Sequence, residues 1–552
     1  MVWKLYALDD TYLKPLEYST GKTQENIVNE VIEALQKYDI LFLKGGVGTG
    51  KSPISLHLIN HYGSGIIVTP TKILERQYSN DYSKRLCIKN EEDKNLEIFH
   101  VMGKNNFKCL LYPELNAGDK QTPCSRQLEK NESRIQVASQ CPYWSPVYSS
   151  TFIKENLKQR FEDYDFINYD SITDEKTFIK AEEPCSYYKQ FSYFTKPCAL
   201  IFNLAKWEIE TWIGRKPKVP IEIIDEGDTF LDELNYRVSL SKQSFDSLRK
   251  EGLASKVQIK IVEFAFEELI NHLQNYNYFI NEQIADFISY FIESFSGVST
   301  SGRLCSMINK AKVIYRNWKV SWAKIYRRRL TVFIPRPDIT LKEIQKRCGK
   351  LLLMSATLHS NFVLSNIFGV KNAPIIEAET RFPGTLIICK TGLETKVNMK
   401  LWNEPNFREQ YKINLSKVLS IAKKPCLVQV HAFKYVPEKF LKEINVMGNE
   451  VMWSTITDRG IDLPDEKCRS IVILKYPYPD LSDVILQTMH KLLGELFWSY
   501  YQDMANRNLI QQCGRAIRHK DDWCEVYSLD KAVIQNLPYR WKGKYVISDR
   551  KI

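Results

Sequence analysis

The chain has 552 residues and a mass of 64.6 kDa, which at roughly 100–200 residues per domain predicts three to five folding units. Apolar residues at 44% and charged residues at 26% exclude a disordered, collagenous or coiled-coil chain, and no apolar run approaches the roughly 20 residues of a membrane helix. The net charge of +12 favours polyanionic partners, nucleic acid first; the N-terminus lacks signal-peptide order, so the chain is expected to be intracellular, with its 13 cysteines mostly reduced or metal-bound.

Gln24 to Lys37 reads as a helix. Ile40-Leu-Phe-Leu-Lys44 is an apolar run closed by Gly45 and Gly46, the pattern of a buried parallel strand. The next residues, Gly45-Gly-Val-Gly-Thr-Gly50-Lys51-Ser52, fit G-x-x-x-x-G-K-[ST] between a strand and a helix. In such a loop the backbone N–H groups around Gly46, Gly48, Thr49 and Gly50 can approach phosphate oxygens, and the helix N-terminus adds a favourable dipole. Lys51 would neutralise the β and γ phosphates, and Ser52 would hold Mg²⁺. Pro53 falls in the first helical turn, where its missing N–H is tolerated.

Gly65-Ile-Ile-Val-Thr-Pro70 reads as a second strand and Ile221-Glu-Ile-Ile-Asp225 as a third. The gap between them, about 150 residues, is too long for a loop and predicts an inserted domain. It carries Cys109, Cys124, Cys141, Cys185 and Cys198. Four thiolates can hold a [4Fe–4S] cluster or a zinc ion. C-x-x-C pairs are absent, so spacing leaves both open, with free structural cysteines as a third reading. Cys198 opens the apolar run Cys-Ala-Leu-Ile-Phe202 and reads as a buried strand residue.

Asp225-Glu226 ends the third strand. A carboxylate there can meet a metal through water, and its neighbour can orient or deprotonate an attacking water. Residues 256–295 read helical. From Arg303 to Arg336 there are ten Lys or Arg and no Asp or Glu, interleaved with Tyr315, Trp318, Trp322 and Tyr326. That mixture suits a backbone-tracking, base-stacking groove, or equally a strand pair with a solvated basic face.

Leu351-Leu-Leu-Met-Ser-Ala356 is a fourth strand. From Pro425-Cys-Leu-Val-Gln-Val430 the alternation resumes, with strands near Val451, Ile471 and Val526, predicting a second α/β domain. Gln511-Gln-Cys-Gly-Arg515-Ala-Ile-Arg518-His519 sets Arg515 and Arg518 at i and i+3, on one helix face. Their guanidinium groups suit developing phosphoryl charge, and Gln512 would hold the γ phosphate or its water.

The loop 45–52, Val68-Thr-Pro-Thr71, Asp225-Glu226, Ser355-Ala-Thr357, Gly460-Ile-Asp462-Leu-Pro464 and Gln511 to Arg518 occur in the order of superfamily 2 helicases. Ser-Ala-Thr-Leu358, Arg459-Gly-Ile-Asp-Leu-Pro-Asp465, Lys475-Tyr-Pro-Tyr-Pro479 and Gln-Cys-Gly-Arg-Ala-Ile-Arg518 resemble the XPD/DinG family of iron–sulfur DNA helicases. The resemblance covers the motor cores well and the insertions thinly. It implies two RecA-like P-loop motor domains with ATP and Mg²⁺ between them. Lys51, Ser52, Asp225 and Glu226 would come from the first, and Asp462, Gln512, Arg515 and Arg518 from the second. Gln24 would contact adenine. One departure stands out: the family usually continues Asp-Glu with Ala-His, whereas this chain has Gly227-Asp228.

The resemblance further implies that Cys109, Cys124, Cys141 and Cys185 hold a [4Fe–4S] cluster in a wedge-like insertion. The expected division is motor domain 1 in residues 1–100, 199–230 and 341–380, an iron–sulfur domain in 101–198, a mainly helical arch-like domain in 231–340, and motor domain 2 in 381–552. The implied activity is ATP-dependent unwinding of forked DNA by a monomer moving 5′ to 3′ on single strands, with no membrane partner. Two alternatives remain at this level: an ATP-driven translocase or remodeller, RNA included, and a non-catalytic nucleic-acid scaffold.

Overall fold

The computed structural model describes residues 2–552 apart from 47–48, 83, 127, 130–131, 133, 157–160, 162, 252–253, 297–301, 431–450, 455–462 and 464. Two all-parallel sheets dominate it. The first has seven strands in the order Ile375–Glu377, Ile40–Lys44, Lys350–Ser355, Ile221–Asp225, Gly65–Thr69, Ala199–Asn203 and Ile98–Val101. The strands that read as apolar runs lie at its centre. Their residues are almost all buried, because helices cover both faces.

The second parallel sheet has six strands: Val451–Ser454, Cys426–Gln429, Ser470–Ile473, Trp523–Ser528, Phe382–Lys390 and Gly543–Asp549. Each sheet buries its own apolar clusters. The expected α/β class with two parallel-sheet lobes holds. No helix among the described residues is long and apolar enough to cross a membrane.

Two long segments interrupt the first sheet, and each leaves and returns through neighbouring strands. One departs after Ile98–Val101 and re-enters at Ala199–Asn203, its hydrogen-bonded neighbour. It contains a small antiparallel sheet of Val147–Ser149, Glu175–Lys180 and Asp165–Asp170. Phe99 and Tyr193 stack at 3.7 Å where this segment meets the parallel sheet. Cys198 is buried immediately before the returning strand.

The other segment departs after Ile221–Asp225 and returns at Lys350–Ser355, again a direct neighbour. It has helices Lys256–His272, Glu282–Phe295 and Gly302–Arg316, and an antiparallel sheet of Tyr236–Leu240, Arg329–Ile334, Trp322–Tyr326 and Asn277–Phe279. The expectation of helix across 256–295 needs correction. Asn277–Phe279 breaks it, since its backbone pairs with Trp322–Lys324.

Candidate nucleotide site and cysteine cluster

In the first sheet, Lys350–Ser355 lies between Ile40–Lys44 and Ile221–Asp225. The carboxyl ends of three adjacent strands therefore gather the glycine-rich loop, Ser355-Ala-Thr357 and Asp225-Glu226, at the edge where parallel sheets bind ligands. Gly45 N–H donates to the Ser355 carbonyl at 3.1 Å. Lys51 begins the following helix, and its Nζ donates to the carbonyls of Gly45 and Gly46 at 3.1 and 3.4 Å.

Gly50 has φ +68°, and a Cβ there would stand 2.2 Å from Gln24 Nε2. Gln24 caps this corner: its Nε2 donates to the Gly50 carbonyl at 3.0 Å, and its Oε1 accepts from Leu16 N–H at 2.8 Å. Thr49 Oγ1 donates to the Gly46 carbonyl, and Tyr18 OH donates to the Thr49 carbonyl, both at 2.8 Å. Gly48 and Asp462, both expected in the nucleotide site, lie outside the described residues.

Burial pushes the Asp225 carboxyl above its ordinary value; Lys51 opposes that rise and Asp228 adds to it. Glu226 has φ +54° and precedes the helix Gly227–Glu233. Gly227 is required for packing. A Cβ there would sit 2.7 Å from Leu353 Cβ and 3.2 Å from its Cα, so the alanine usual at this position has no room.

Asp228 is fully buried and receives donors from both lobes. Ser355 Oγ and Thr357 Oγ1 donate at 2.8 and 3.0 Å, Gln511 Nε2 at 2.9 Å and Arg507 Nη1 at 3.4 Å. Gln511 Nε2 also donates to Thr357 Oγ1 at 2.7 Å. One turn on, Asp232 accepts from Arg507 Nη2 at 2.8 Å, His359 Nε2 at 2.8 Å and Tyr500 OH at 3.0 Å. Arg507 and His359 thereby hold the Asp232 carboxyl far below its ordinary value, against the opposing effect of burial. Sequence reasoning missed Asp232, Arg507 and Gln511 as bridging residues. Gln511, four residues before Arg515, makes this inter-lobe contact, whereas the sequence had singled out its neighbour Gln512, and for the γ phosphate or its water.

The helix Glu495–Cys513 ends before the arginines, which corrects the shared helix face expected for Arg515 and Arg518. Arg515 lies in a single 3-10 turn, Gly514–Ala516, and Arg518 follows it outside any helix or strand. A run of hydrogen bonds nevertheless links the glycine loop to this segment: Gly45 to Ser355, Ser355 to Asp228, and Asp228 to Gln511.

In the first insertion, the thiol of Cys141 is pushed up to about 11 by burial and by Cys124, Cys185 and Cys109 beside it. Cys185 is raised by burial and by Cys124 and Cys109. The four cysteines therefore lie near one another, and all are free thiols. Cys185 caps the short helix Ser186–Lys189. Lys104 Nζ donates to the Cys124 carbonyl at 3.0 Å and lies 5.4 Å from the centre of the Tyr187 ring.

In the second insertion the basic run forms a hairpin. Arg327 and Arg328, both with positive φ, make the turn between Trp322–Tyr326 and Arg329–Ile334. Tyr326 is exposed there, with the Arg327 guanidinium 5.2 Å from its ring centre. Acids from outside the run partly offset its charge: Glu208 pairs with Lys310, Glu267 with Arg328, Glu343 with Arg316 and Asp338 with Arg336. Trp322, by contrast, is buried.

Comparison with known proteins agrees with this arrangement. Residues 405–542 match the helicase C-terminal domain family. The chain is 26% identical over 149 residues to the ATP-dependent DNA helicase chl1 of Schizosaccharomyces pombe, covering 23% of this chain and 18% of that protein. It is 35% identical over 83 residues to the regulator of telomere elongation helicase 1 homolog of Caenorhabditis elegans, covering 13% of this chain and 8% of that one. The match thus spans less than a fifth of the length of either curated relative. A solved XPD helicase superposes with TM-score 0.55 at 16% identity, covering 95% of this chain and 99% of that one. The S. tokodaii Xpd4 structure gives 0.50 at 14% identity, with 95% and 99% covered. With its motif order, its paired parallel-sheet lobes and its C-terminal match, the chain is similar to helicases in its C-terminal domain and shares the fold of the XPD structures.

Proposed function

We propose that this chain is an ATP- and Mg²⁺-dependent DNA helicase that moves 5′ to 3′ on single-stranded DNA and opens forked duplexes as a monomer inside the cell. The observation that carries the reading is the hydrogen-bonded path from Gly45 through Ser355 and Asp228 to Gln511, which joins the glycine loop of one lobe to the arginine segment of the other. In this reading Ser52 and Asp225 hold Mg²⁺, which supplies charge neutralisation at the β and γ phosphates. Lys51 gives up its two loop carbonyls to neutralise the same phosphates. Glu226 orients the attacking water and accepts its proton. Gln512, Arg515 and Arg518 close over the γ phosphate and stabilise charge as it develops. Gln24 stands beside the base, with Gly46, Gly48, Thr49, Gly50 and Asp462 completing the nucleotide contacts.

Cys109, Cys124, Cys141 and Cys185, which influence one another electrostatically within the insertion, would hold a [4Fe–4S] cluster, for which four thiolates are the usual ligand set. The cluster would brace the insertion at the point where strands part, with DNA tracking past the Arg327 hairpin.

ATP hydrolysis with and without single-stranded DNA is the first test, followed by unwinding of matched forked DNA and RNA. Stimulated hydrolysis and DNA unwinding are expected. Hydrolysis indifferent to nucleic acid would overturn the motor assignment, and unwinding of RNA alone would overturn the substrate.

A further inference from the structure

The chain passes from one lobe to the other through residues 378–381. Ile375–Glu377 is the edge strand of the first sheet, paired with the strand that feeds the glycine loop, and Phe382–Lys390 already belongs to the second sheet. Within this crossing, Glu379 is fastened at both ends. Its backbone carbonyl accepts from Gly46 N–H at 2.7 Å. Its carboxylate accepts from Ser19 N–H at 2.8 Å, Ser19 Oγ at 2.9 Å and Arg381 N–H at 3.0 Å. The adjacent Tyr18 grips the same loop through the Thr49 carbonyl at 2.8 Å. Ala378 N–H donates to the Lys44 carbonyl at 2.9 Å. A Cβ on Gly46 would approach the Glu379 carbonyl to 3.3 Å, so the two backbones are in close contact.

Rotation of the second lobe about this crossing must turn the backbone of residues 378–381. A crossing tied only to its own lobe would let the glycine loop remain indifferent to that turn. Here the tie is direct, through one backbone hydrogen bond whose position the Glu379 carboxylate fixes. A glutamate suits the task because its two oxygens only accept, and all three side-chain partners donate.

We propose that Glu379 is a positioning residue that couples the glycine-rich loop to the inter-lobe crossing, so that occupation of the loop by the nucleotide phosphates is transmitted to lobe rotation through the Gly46–Glu379 bond. The proposal rests on the motor reading above and adds to it a residue outside the motifs that define the family resemblance. Glu379 touches neither nucleotide nor metal in this scheme. It acts through Gly46.

The test compares the full-length wild type with Glu379→Ala and Glu379→Gln. Two quantities are read: the ATP KM against the single-strand-stimulated kcat, and hydrogen exchange of residues 375–390 with and without a non-hydrolysable ATP analogue. In the wild type the analogue should alter exchange in this segment. In Glu379→Ala that response should vanish and stimulated kcat should fall roughly tenfold, with KM changed less than about threefold. Glu379→Gln should give a partial loss, because its amide must face one N–H donor with another. A response as large as wild type in a folded Glu379→Ala overturns the coupling while leaving the motor intact. If Glu379→Ala does not fold, a full wild-type response in Glu379→Gln overturns it equally. A wild type that neither hydrolyses ATP nor changes exchange overturns both readings.

Discussion

The imidazole of His57 lies flat on the indole of Trp3, with ring centres 3.8 Å apart and planes within 8°. Its Nε2 accepts from Lys4 N–H at 3.0 Å, and its Nδ1 donates to the Pro53 carbonyl at 2.7 Å. Both nitrogens are committed to the neutral ring. Burial lowers its pKa to about 4, against the modest opposing effect of the Pro53 carbonyl. Between about pH 6.5 and 4 the unfolded chain binds a proton that the folded chain refuses. Stability is therefore complete above that window and falls as pH drops through it, by at most on the order of 3 kcal/mol. Thermal melts at pH 7.5 and 5 should show a smaller acid-induced drop in Tm for His57→Phe than for wild type.

Lys51→Ala should lower ATP hydrolysis on the order of 10²-fold or more while leaving the melting temperature close to wild type. Gly50→Ala should do more. Its φ of +68° strains any L side chain, and the new Cβ would collide with Gln24. A Gly50→Ala protein with unchanged KM and kcat would contradict the loop geometry.

Arg507 is buried with its guanidinium shared among Asp228, Asp232 and Asp503. Arg507→Met would leave those carboxylates without their cation and should cost roughly 3–5 kcal/mol, as breaking a buried ion pair does. Chemical denaturation should show it. Asp228→His, which restores the residue usual in the family, should destabilise as well, because imidazole cannot accept from four donors and its protonated form repels Arg507.

Cys141→Ser and Cys185→Ser should each lose bound iron and sulfide from anaerobically purified protein. Cys198→Ser should keep both, since Cys198 is buried beside the returning strand rather than among the four. Zinc without iron in the wild type would reverse the assignment.

Arg327→Ala with Arg328→Ala should weaken single-strand binding and flatten its dependence on salt. Two free phosphate contacts would change the log–log slope by ~1.4. The pairing of Arg328 with Glu267 predicts a change nearer half that value. Titrations at several salt concentrations would measure it, and an unchanged slope would take this hairpin off the DNA path.

The central strands were legible because burial on both faces leaves an unbroken apolar run, as in Ile40–Lys44 and Lys350–Ser355. Shorter edge strands were not. Ile98–Val101 and Ile375–Glu377 are half-exposed and too brief to carry a period. The glycine loop and Asp225-Glu226 announced themselves because phosphate chemistry fixes both residue type and spacing. Arg507, Asp232 and Glu379 did not, since their partners lie far away in sequence and ordinary charged residues on helices and turns look alike until the lobes meet. The helix end at Cys513 was signalled locally by Gly514, its C-cap, but the i, i+3 spacing of Arg515 and Arg518 was read as helical through it.

Each insertion is anchored at the ends of two strands that sit side by side in the seven-stranded sheet. Excising either would leave the carboxyl end of one strand and the amino end of its parallel neighbour at opposite edges of the sheet, a gap that one crossover helix of roughly a dozen or more residues would close without reordering the strands. The architecture thus behaves as a chassis with two sockets, in which accessory modules can be gained, lost or exchanged over evolutionary time while the engine beneath keeps its wiring.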